Sequence, residues 1–594
     1  MSRGAANTVW ARSFVDELAR MRVRDVVLAP GSRSTPLVLA FARDRRFRLR
    51  VHLDERCAAF FALGVGKASG APAVMLTTSG TAAANAFPAV IEASESEVSL
   101  LMVTADRPPR LRGADANQTV DQLRLYGRHA REFFDVPSPV LGGPELRHLR
   151  TLACRAVAAS LGPPAGPVHV NFPFDKPLEP VEPPDGFKRE HPLAFAGRAD
   201  GSPFVELSTG RRAAAPADLD VLAELLDSPC GVIVAGPTPD PGRVGPAVAA
   251  LAARTGYPVL ADALSGARYG PAEGAHVVSA YDLILRDPTA VVELEPSVIL
   301  RVGASPTSAT LVEWMLHHNG VSHVVIDGGG RWKDHSSTAT CYVRADPADT
   351  LSALAARVGS VASDDWNGRW RAAERAALEG IASAAGEPHE GDVWAEVCAA
   401  VPPEGTVFVS SSMPVRDLDA FGHPRDEPLL VLGNRGASGI DGIVSTAFGV
   451  ASRRSGPTVC VLGDLAFFHD QNGLLWSREE DAKVVFVLVD NDGGGIFHAL
   501  PIAEHEPDFT TYFATPHGLD LVRAAELYGL EVADVAVPEL RVALEAAIGA
   551  GRTTILRVRS ERVANRRRHA EVVAAVAERV REALAPIRRE SQPR

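Results

Sequence analysis

Residues 457–497 read PTVCVLGDLAFFHDQNGLLWSREEDAKVVFVLVDNDGGGIF. Two short apolar runs, TVCVL and VVFVLV, stop abruptly at polar residues: Gly463-Asp464 after the first, Asp490-Asn491 and three glycines after the second. Runs this short and this apolar, each ended by turn residues and separated by a helix-length stretch, read as parallel strands buried on both faces. Ligands of open parallel sheets bind beyond the carboxyl ends of the strands. Asp464 and Asn491 would therefore offer a carboxylate and an amide oxygen to one point, hard donors that suit Mg²⁺, with Mn²⁺ as the alternative ion. Gly493 allows close backbone approach and a carbonyl ligand. The helix after Asp464 would turn free amides toward phosphate. A single Gly-Asp at a strand end is an ordinary turn; two such ends on neighbouring strands point to a metal-bridged diphosphate.

The same grammar extends over the whole chain. RDVVLAPGS, PAVMLTTSG, SLLMVTAD and GPVHVNFP form a first set of buried strands. CGVIVAGP, YPVLADA, SVILRVG, HVVIDGG and CYVRADP form a second, and GTVFVSSS, PLLVLGNRG, PTVCVLGD, KVVFVLVDN and TTILRVRS a third. Amphipathic or Ala-rich stretches separate them, so the fold class is α/β with three doubly wound parallel-sheet domains. The expected boundaries are 1–182, 183–360 and 361–594. A Pro-rich, charged stretch from Lys176 reads as the first linker and SDDWNGRWRAAERAALEG as a connecting helix before the third block. Val572, Val573, Val576, Val580 and Leu584 recur at helical spacing near the C-terminus. Arg566–Arg568 at the entry of that helix read as a solvated face.

The 594 residues are too many for one core, and 46% hydrophobic residues with 23% charged is ordinary globular composition. The formal net charge of -12 speaks against a general binder of nucleic acid or anionic membrane. The six cysteines form no CxxC pair, which suits a reducing compartment. The N-terminal stretch lacks an apolar signal core, and no apolar run approaches the ~20 residues of a membrane span. The expectation is a cytoplasmic protein with no membrane insertion and no nucleic-acid partner.

A different stretch, HLDERCAAFFALG at 52–64, delivers three charges to the mouth of an apolar run. One reading is a helix start, where carboxylates favour the positive end of the dipole. The other is a carboxyl group, Glu55, placed for proton chemistry.

Gly463-Asp464-Leu465 followed by Asp490-Asn491 resembles the GDG…NN fingerprint of thiamine-diphosphate enzymes, with Leu465 and Asp490 as departures that keep both oxygen donors. APGSRSTPL (29–37), TADRPPRLRGADANQT (104–119), SSSMPVRDLD (410–419) and GNRGASGIDG (433–442) are similar to the family of 2-succinyl-5-enolpyruvyl-6-hydroxy-3-cyclohexene-1-carboxylate synthases of menaquinone biosynthesis. The resemblance covers the first and third blocks and is weak across the middle one. It implies a pyrimidine-binding first domain and a diphosphate-binding third domain, with thiamine diphosphate and Mg²⁺ as cofactors. The substrates it implies are 2-oxoglutarate and isochorismate, and the cofactor would lie between two chains, in a homodimer at least.

The resemblance also assigns residues. Glu55 would be the catalytic acid that hydrogen-bonds the aminopyrimidine ring. Ser412, Met413, Ser438, Ile440, Gly463, Leu465 and Ile496 would hold the cofactor, Ile440 propping its bent form, and Asp464, Asn491 and Gly493 the metal. Ser412 and Arg416 would take the distal carboxylate of the succinyl unit. Ser32, Arg33, Arg107, Asn117, Gln118 and Arg435 would face isochorismate, and Phe497 would wall the site. The chemistry of the residues agrees, since both substrates are dicarboxylates and arginine binds carboxylate bidentately. Two alternatives stay open on sequence: an acetolactate-synthase-like or pyruvate-oxidase-like enzyme, with FAD in the middle domain, and a catalytically silent thiamine-fold subunit.

Overall fold

The computed structural model describes residues 3–270, 274–384, 386–422 and 424–585. Three six-stranded sheets, every pairing parallel, follow one another along the chain. The first holds β1 (Asp25–Leu28), β2 (Arg48–Val51), β3 (Ala73–Thr77), β4 (Leu100–Asp106), β5 (Glu132–Asp135) and β6 (Pro167–Pro173), in the order β2-β1-β3-β4-β6-β5. The second holds β7 (Gly231–Ala235), β8 (Pro258–Ala261), β9 (His276–Val278), β10 (Val298–Val302), β11 (Ser322–Ile326) and β12 (Cys341–Val343), in the order β12-β11-β10-β7-β8-β9. The third holds β13 (Thr406–Val409), β14 (Leu430–Gly433), β15 (Thr458–Gly463), β16 (Val484–Asp490), β17 (Val532–Asp534) and β18 (Thr554–Arg559), in the order β14-β13-β15-β16-β18-β17.

Renumbered from their own first strands, the outer sheets share one topology, 2-1-3-4-6-5, whereas the middle sheet runs 3-2-1-4-5-6, the dinucleotide-fold order. Outer and middle domains are thus two different windings of the same α/β grammar. The strands that periodicity does not reveal are β2, β5, β9 and β17, and each lies at a sheet edge. These four keep exposed or half-exposed positions and carry no long apolar run, unlike the edge strand β14 (LVLG), which is largely buried.

The first and third sheets share a core. The helix Glu55–Ser69 packs against the helix Ile443–Ala451, and one cluster of buried side chains runs from Phe60 and Phe61 through Phe448 to Trp476 and Phe486. Two long helices cover one face of the middle sheet. The helix Asp364–Ser383, a connector on sequence grounds, lies on it, with Trp366 Nε1 donating to the Gly231 carbonyl at 2.9 Å. The C-terminal helix Arg562–Leu584 returns from the third sheet to the same cluster, burying Val572, Val576, Val580 and Leu584. Arg568 does not stand free in solvent: it bonds Glu571 at 3.0 Å and the Ala384 carbonyl. The stretch expected as a bare linker contains two short helices, Asp185–Glu190 and Pro192–Ala196.

Candidate active site

The strand order of the third sheet reverses between β13 and β15, the position where open α/β sheets bind ligands. Ser412, Met413, Ile440, Gly463, Asp464, Leu465, Asn491, Gly493, Ile496 and Phe497 line one cavity there, together with Glu390 and Ser411. β15 and β16 are paired side by side, so Asp464 and Asn491 emerge from adjacent strand ends. The Asp464 carboxylate organises the loop. Its Oδ1 accepts from the Leu465 amide at 2.6 Å, and its Oδ2 from the amides of Gly493 at 2.9 Å and Asn491 at 3.2 Å. Burial pushes this carboxyl up, and the Gly493 and Leu465 amides oppose the shift. Gly493 sits at φ 138°, and a β-carbon there would come 2.2 Å from the Ala514 carbonyl oxygen, so only glycine closes the loop.

Asn491 donates its Nδ2 to Glu390 at 3.0 Å, which leaves its Oδ1 buried with no partner in the chain. An unpaired buried acceptor beside a buried carboxylate is costly on its own and fits a hard cation. Ser412 holds a left-handed backbone at φ 74° as it starts the helix Met413–Phe421. Strain of this kind at a residue that is not glycine collects at ligand sites. Ser438, also left-handed at φ 60°, stands exposed outside the cavity.

The arginines form two pairs. Arg416 donates to the Ser412 carbonyl at 2.6 Å, and Arg435 reaches Ser411 Oγ at 3.3 Å. Desolvation first and the Arg435 charge second lower the Arg416 guanidinium. In the first domain, Arg33 donates to the Phe174 carbonyl at 2.9 Å, and Arg107 donates to Ser79 Oγ. Burial and then the Arg107 charge lower Arg33. Ser79 also accepts from Gln118 Nε2 through its carbonyl at 2.9 Å, which brings Gln118 beside Arg107. Ser32 and Asn117 are exposed at the same end of the first sheet. Each pair is two like charges held close, an arrangement that favours an anionic ligand.

Asp54 meets the helix-start reading of the 52–64 stretch, and Glu55 is the first residue of the helix it caps. Asp54 is the helix cap, its side chain accepting from the amides of Arg56 at 2.9 Å and Cys57 at 3.4 Å. Glu55 is half-buried, and its carboxylate meets the Asn85 amide at 3.5 Å. It does not line the cavity that holds Asp464 and Asn491. Ser32, Arg33, Arg107, Asn117 and Gln118 do not line it either. The first-domain residues singled out from the sequence thus lie apart from that cavity.

Sequence reasoning missed four residues. Glu390, in a polar loop with no motif, lies under Asn491 and is pushed up by burial. His517 meets Asp464 Oδ2 at 3.3 Å and Asp492 Oδ1 at 3.4 Å; its only signal is a histidine between Pro516 and Gly518. Lys67 and Glu92 form a buried pair at 3.3 Å, and Glu92 accepts from the amides of Gly436 and Ala437 at 3.0 and 2.7 Å. That pair fixes the loop carrying Arg435 and Ser438 to the first domain.

Comparison with known proteins identifies three domains of one enzyme family. The N-terminal TPP binding domain of thiamine pyrophosphate enzymes matches residues 9–125, the middle domain residues 211–409, and the C-terminal TPP binding domain residues 423–558. Proteins named 2-succinyl-5-enolpyruvyl-6-hydroxy-3-cyclohexene-1-carboxylate synthase align over nearly the whole chain. That of Halobacterium salinarum is 47% identical over 94% of this chain and 97% of its own. That of Natronomonas pharaonis is 45% identical over 94% and 96%, and that of Roseiflexus castenholzii 44% over 93% and 96%.

Proposed function

Since the chain belongs to the 2-succinyl-5-enolpyruvyl-6-hydroxy-3-cyclohexene-1-carboxylate synthase family of thiamine-diphosphate enzymes, we propose that it decarboxylates 2-oxoglutarate and joins the resulting succinyl semialdehyde unit to isochorismate. The product keeps the enolpyruvyl ether and leads to menaquinone. The observation that carries this reading is the two arginine pairs: Arg33 and Arg107, bonded to the adjacent Thr78 and Ser79, and Arg416 and Arg435, bonded to the adjacent Ser412 and Ser411. They suit two dicarboxylate substrates and would be out of place around small substrates with one carboxylate.

Thiamine diphosphate, when bound, supplies the electron sink for loss of CO₂. Asp464, the free Oδ1 of Asn491 and the Gly493 carbonyl would hold Mg²⁺, which would neutralise the charge of the diphosphate. Ser412, Met413, Gly463, Leu465 and Ile496 would surround it with Ile440 packed against it, Ser438 would approach from outside the cavity lining, and Phe497 would wall the site. Glu55 would keep a shared proton at the aminopyrimidine ring. Ser412 and Arg416 would fix the far carboxylate of 2-oxoglutarate. Ser32, Arg33, Arg107, Asn117, Gln118 and Arg435 would receive isochorismate.

The separation of these first-domain residues from the cavity within one chain supports a homodimer, with Glu55 from one copy facing Asp464 and Asn491 of the other. Residues 1–182 would bind the pyrimidine, 361–594 the diphosphate, and 183–360 would form the central domain. Six free cysteines support the cytoplasm as its compartment, and no described helix is long and apolar enough to cross a membrane.

Mixing two inactive variants, Glu55→Gln and Asp464→Asn, tests the shared site. Random exchange makes half the dimers mixed, each with one intact site, so about a quarter of wild-type activity should return. No recovery on subunit exchange would contradict the arrangement.

A further inference from the structure

The helix Met413–Phe421 serves two domains. Its first turn faces the cofactor cavity with Met413 and Pro414, and Arg416 reaches back to the Ser412 carbonyl. Its last turns are buried, and Asp419 is 2% exposed. Two residues of the middle domain grip it there. Tyr281 Oη lies 2.7 and 2.8 Å from the two Asp419 carboxylate oxygens. Arg268 donates Nη1 to Asp419 Oδ1 at 3.1 Å and to the Leu418 carbonyl at 3.3 Å, and Nη2 to the Asp419 carbonyl at 2.6 Å. Arg268 also donates to the Ser279 carbonyl, and Glu374 holds Ser279 by its amide at 2.9 Å and its hydroxyl at 2.7 Å. The anchor therefore runs back into the helix Asp364–Ser383 on the middle sheet.

Stability is a weak reason for such an arrangement. A buried Arg–carboxylate pair gains little over well-packed apolar side chains, because desolvation offsets the attraction; fixing register is the better-attested use. Here the bonds fix both the side chain and the end of one helix, which leaves it no freedom to slide or rotate. Asp419 lies seven residues, about 10 Å of helix, from Ser412 and one turn from Arg416.

We propose that Arg268 and Tyr281 are positioning residues, through which the middle domain sets Ser412 and Arg416 for the far carboxylate of the 2-oxo acid. This rests on the reading of Arg416 given above. It gives the middle domain a part in substrate selection.

The test uses the holoenzyme with both substrates, comparing Tyr281→Phe, Arg268→Lys, Arg416→Ala and the Tyr281→Phe/Arg416→Ala double variant. Tyr281→Phe should raise KM for 2-oxoglutarate about tenfold, as a small misplacement of a binding group does, and leave KM for isochorismate unchanged. In the Arg416→Ala background the same substitution should raise that KM much less, since only Ser412 is left to misplace. Lowered thermal stability with both KM values unchanged would overturn the proposal, as would equal rises in both. Additive effects in the double variant would overturn it too, even where Arg416→Ala alone behaves as expected. If Arg416→Ala leaves KM for 2-oxoglutarate unchanged, the reading of Arg416 fails first and the proposal falls with it.

Discussion

Gly64 and Gly449 meet backbone to backbone: a β-carbon on Gly449 would stand 3.0 Å from the Gly64 Cα and 2.1 Å from the Phe61 carbonyl oxygen. One on Gly64 would stand 2.2 Å from the Thr446 carbonyl oxygen. Two helices from different domains thus meet with no room for a β-carbon at either glycine, and the helix bearing Glu55 is fixed to the third domain of its own chain. Gly449→Ala should force these helices apart and cost about 1–3 kcal/mol, measured as a lower urea midpoint. Unchanged stability would mean that the contact is looser than described.

Asp464 is both the organiser of the 491–493 loop and the proposed metal ligand. Asp464→Asn should weaken Mg²⁺-dependent binding of thiamine diphosphate by about 100-fold, read by calorimetric titration with and without the ion. Glu55→Gln should bind the cofactor normally yet lose about 10²–10⁴ in turnover, the range for a proton-transfer group. Normal turnover in that variant would remove Glu55 from the mechanism.

Lys67 and Glu92 are buried together, with side chains 7% and 4% exposed. Lys67→Met strands the Glu92 carboxylate and should cost about 3–5 kcal/mol in urea unfolding. Unchanged stability of Lys67→Met would contradict this.

His169 is buried, bonded through Nε2 to Thr104 Oγ1 at 2.8 Å, and burial depresses it to about 3. A histidine kept neutral in the fold takes up a proton on unfolding below its ordinary pKa near 6.5. Its stabilisation is therefore full above that value and lost as pH falls from about 6.5 toward 3. Wild-type stability should decline over this window, and His169→Gln should make the decline shallower by about 1.4 kcal/mol per pH unit at most. Equal slopes for the two proteins would contradict the assignment.

Much of this molecule is legible in its sequence because parallel strands buried on both faces must be short and continuously apolar, as in VVFVLVD at β16. The same physics hides β2, β5, β9 and β17, whose outer faces meet solvent. Asp464 and Asn491 can be found because both end a buried strand. Glu390, His517 and the Lys67–Glu92 pair cannot: they reach the site from loops or helix flanks with no period, joined to it by contacts distant in sequence. The role of the helix Asp364–Ser383 was hidden likewise, since its amphipathic pattern requires a partner without naming the middle sheet.

The most direct measurement follows isochorismate absorbance and CO₂ release in the presence of thiamine diphosphate, Mg²⁺, 2-oxoglutarate and isochorismate. Loss of isochorismate that requires all four components, with one CO₂ released for each one consumed, is the predicted result. CO₂ release from 2-oxoglutarate with isochorismate untouched would contradict it, by showing a decarboxylase that hands its product to a different acceptor.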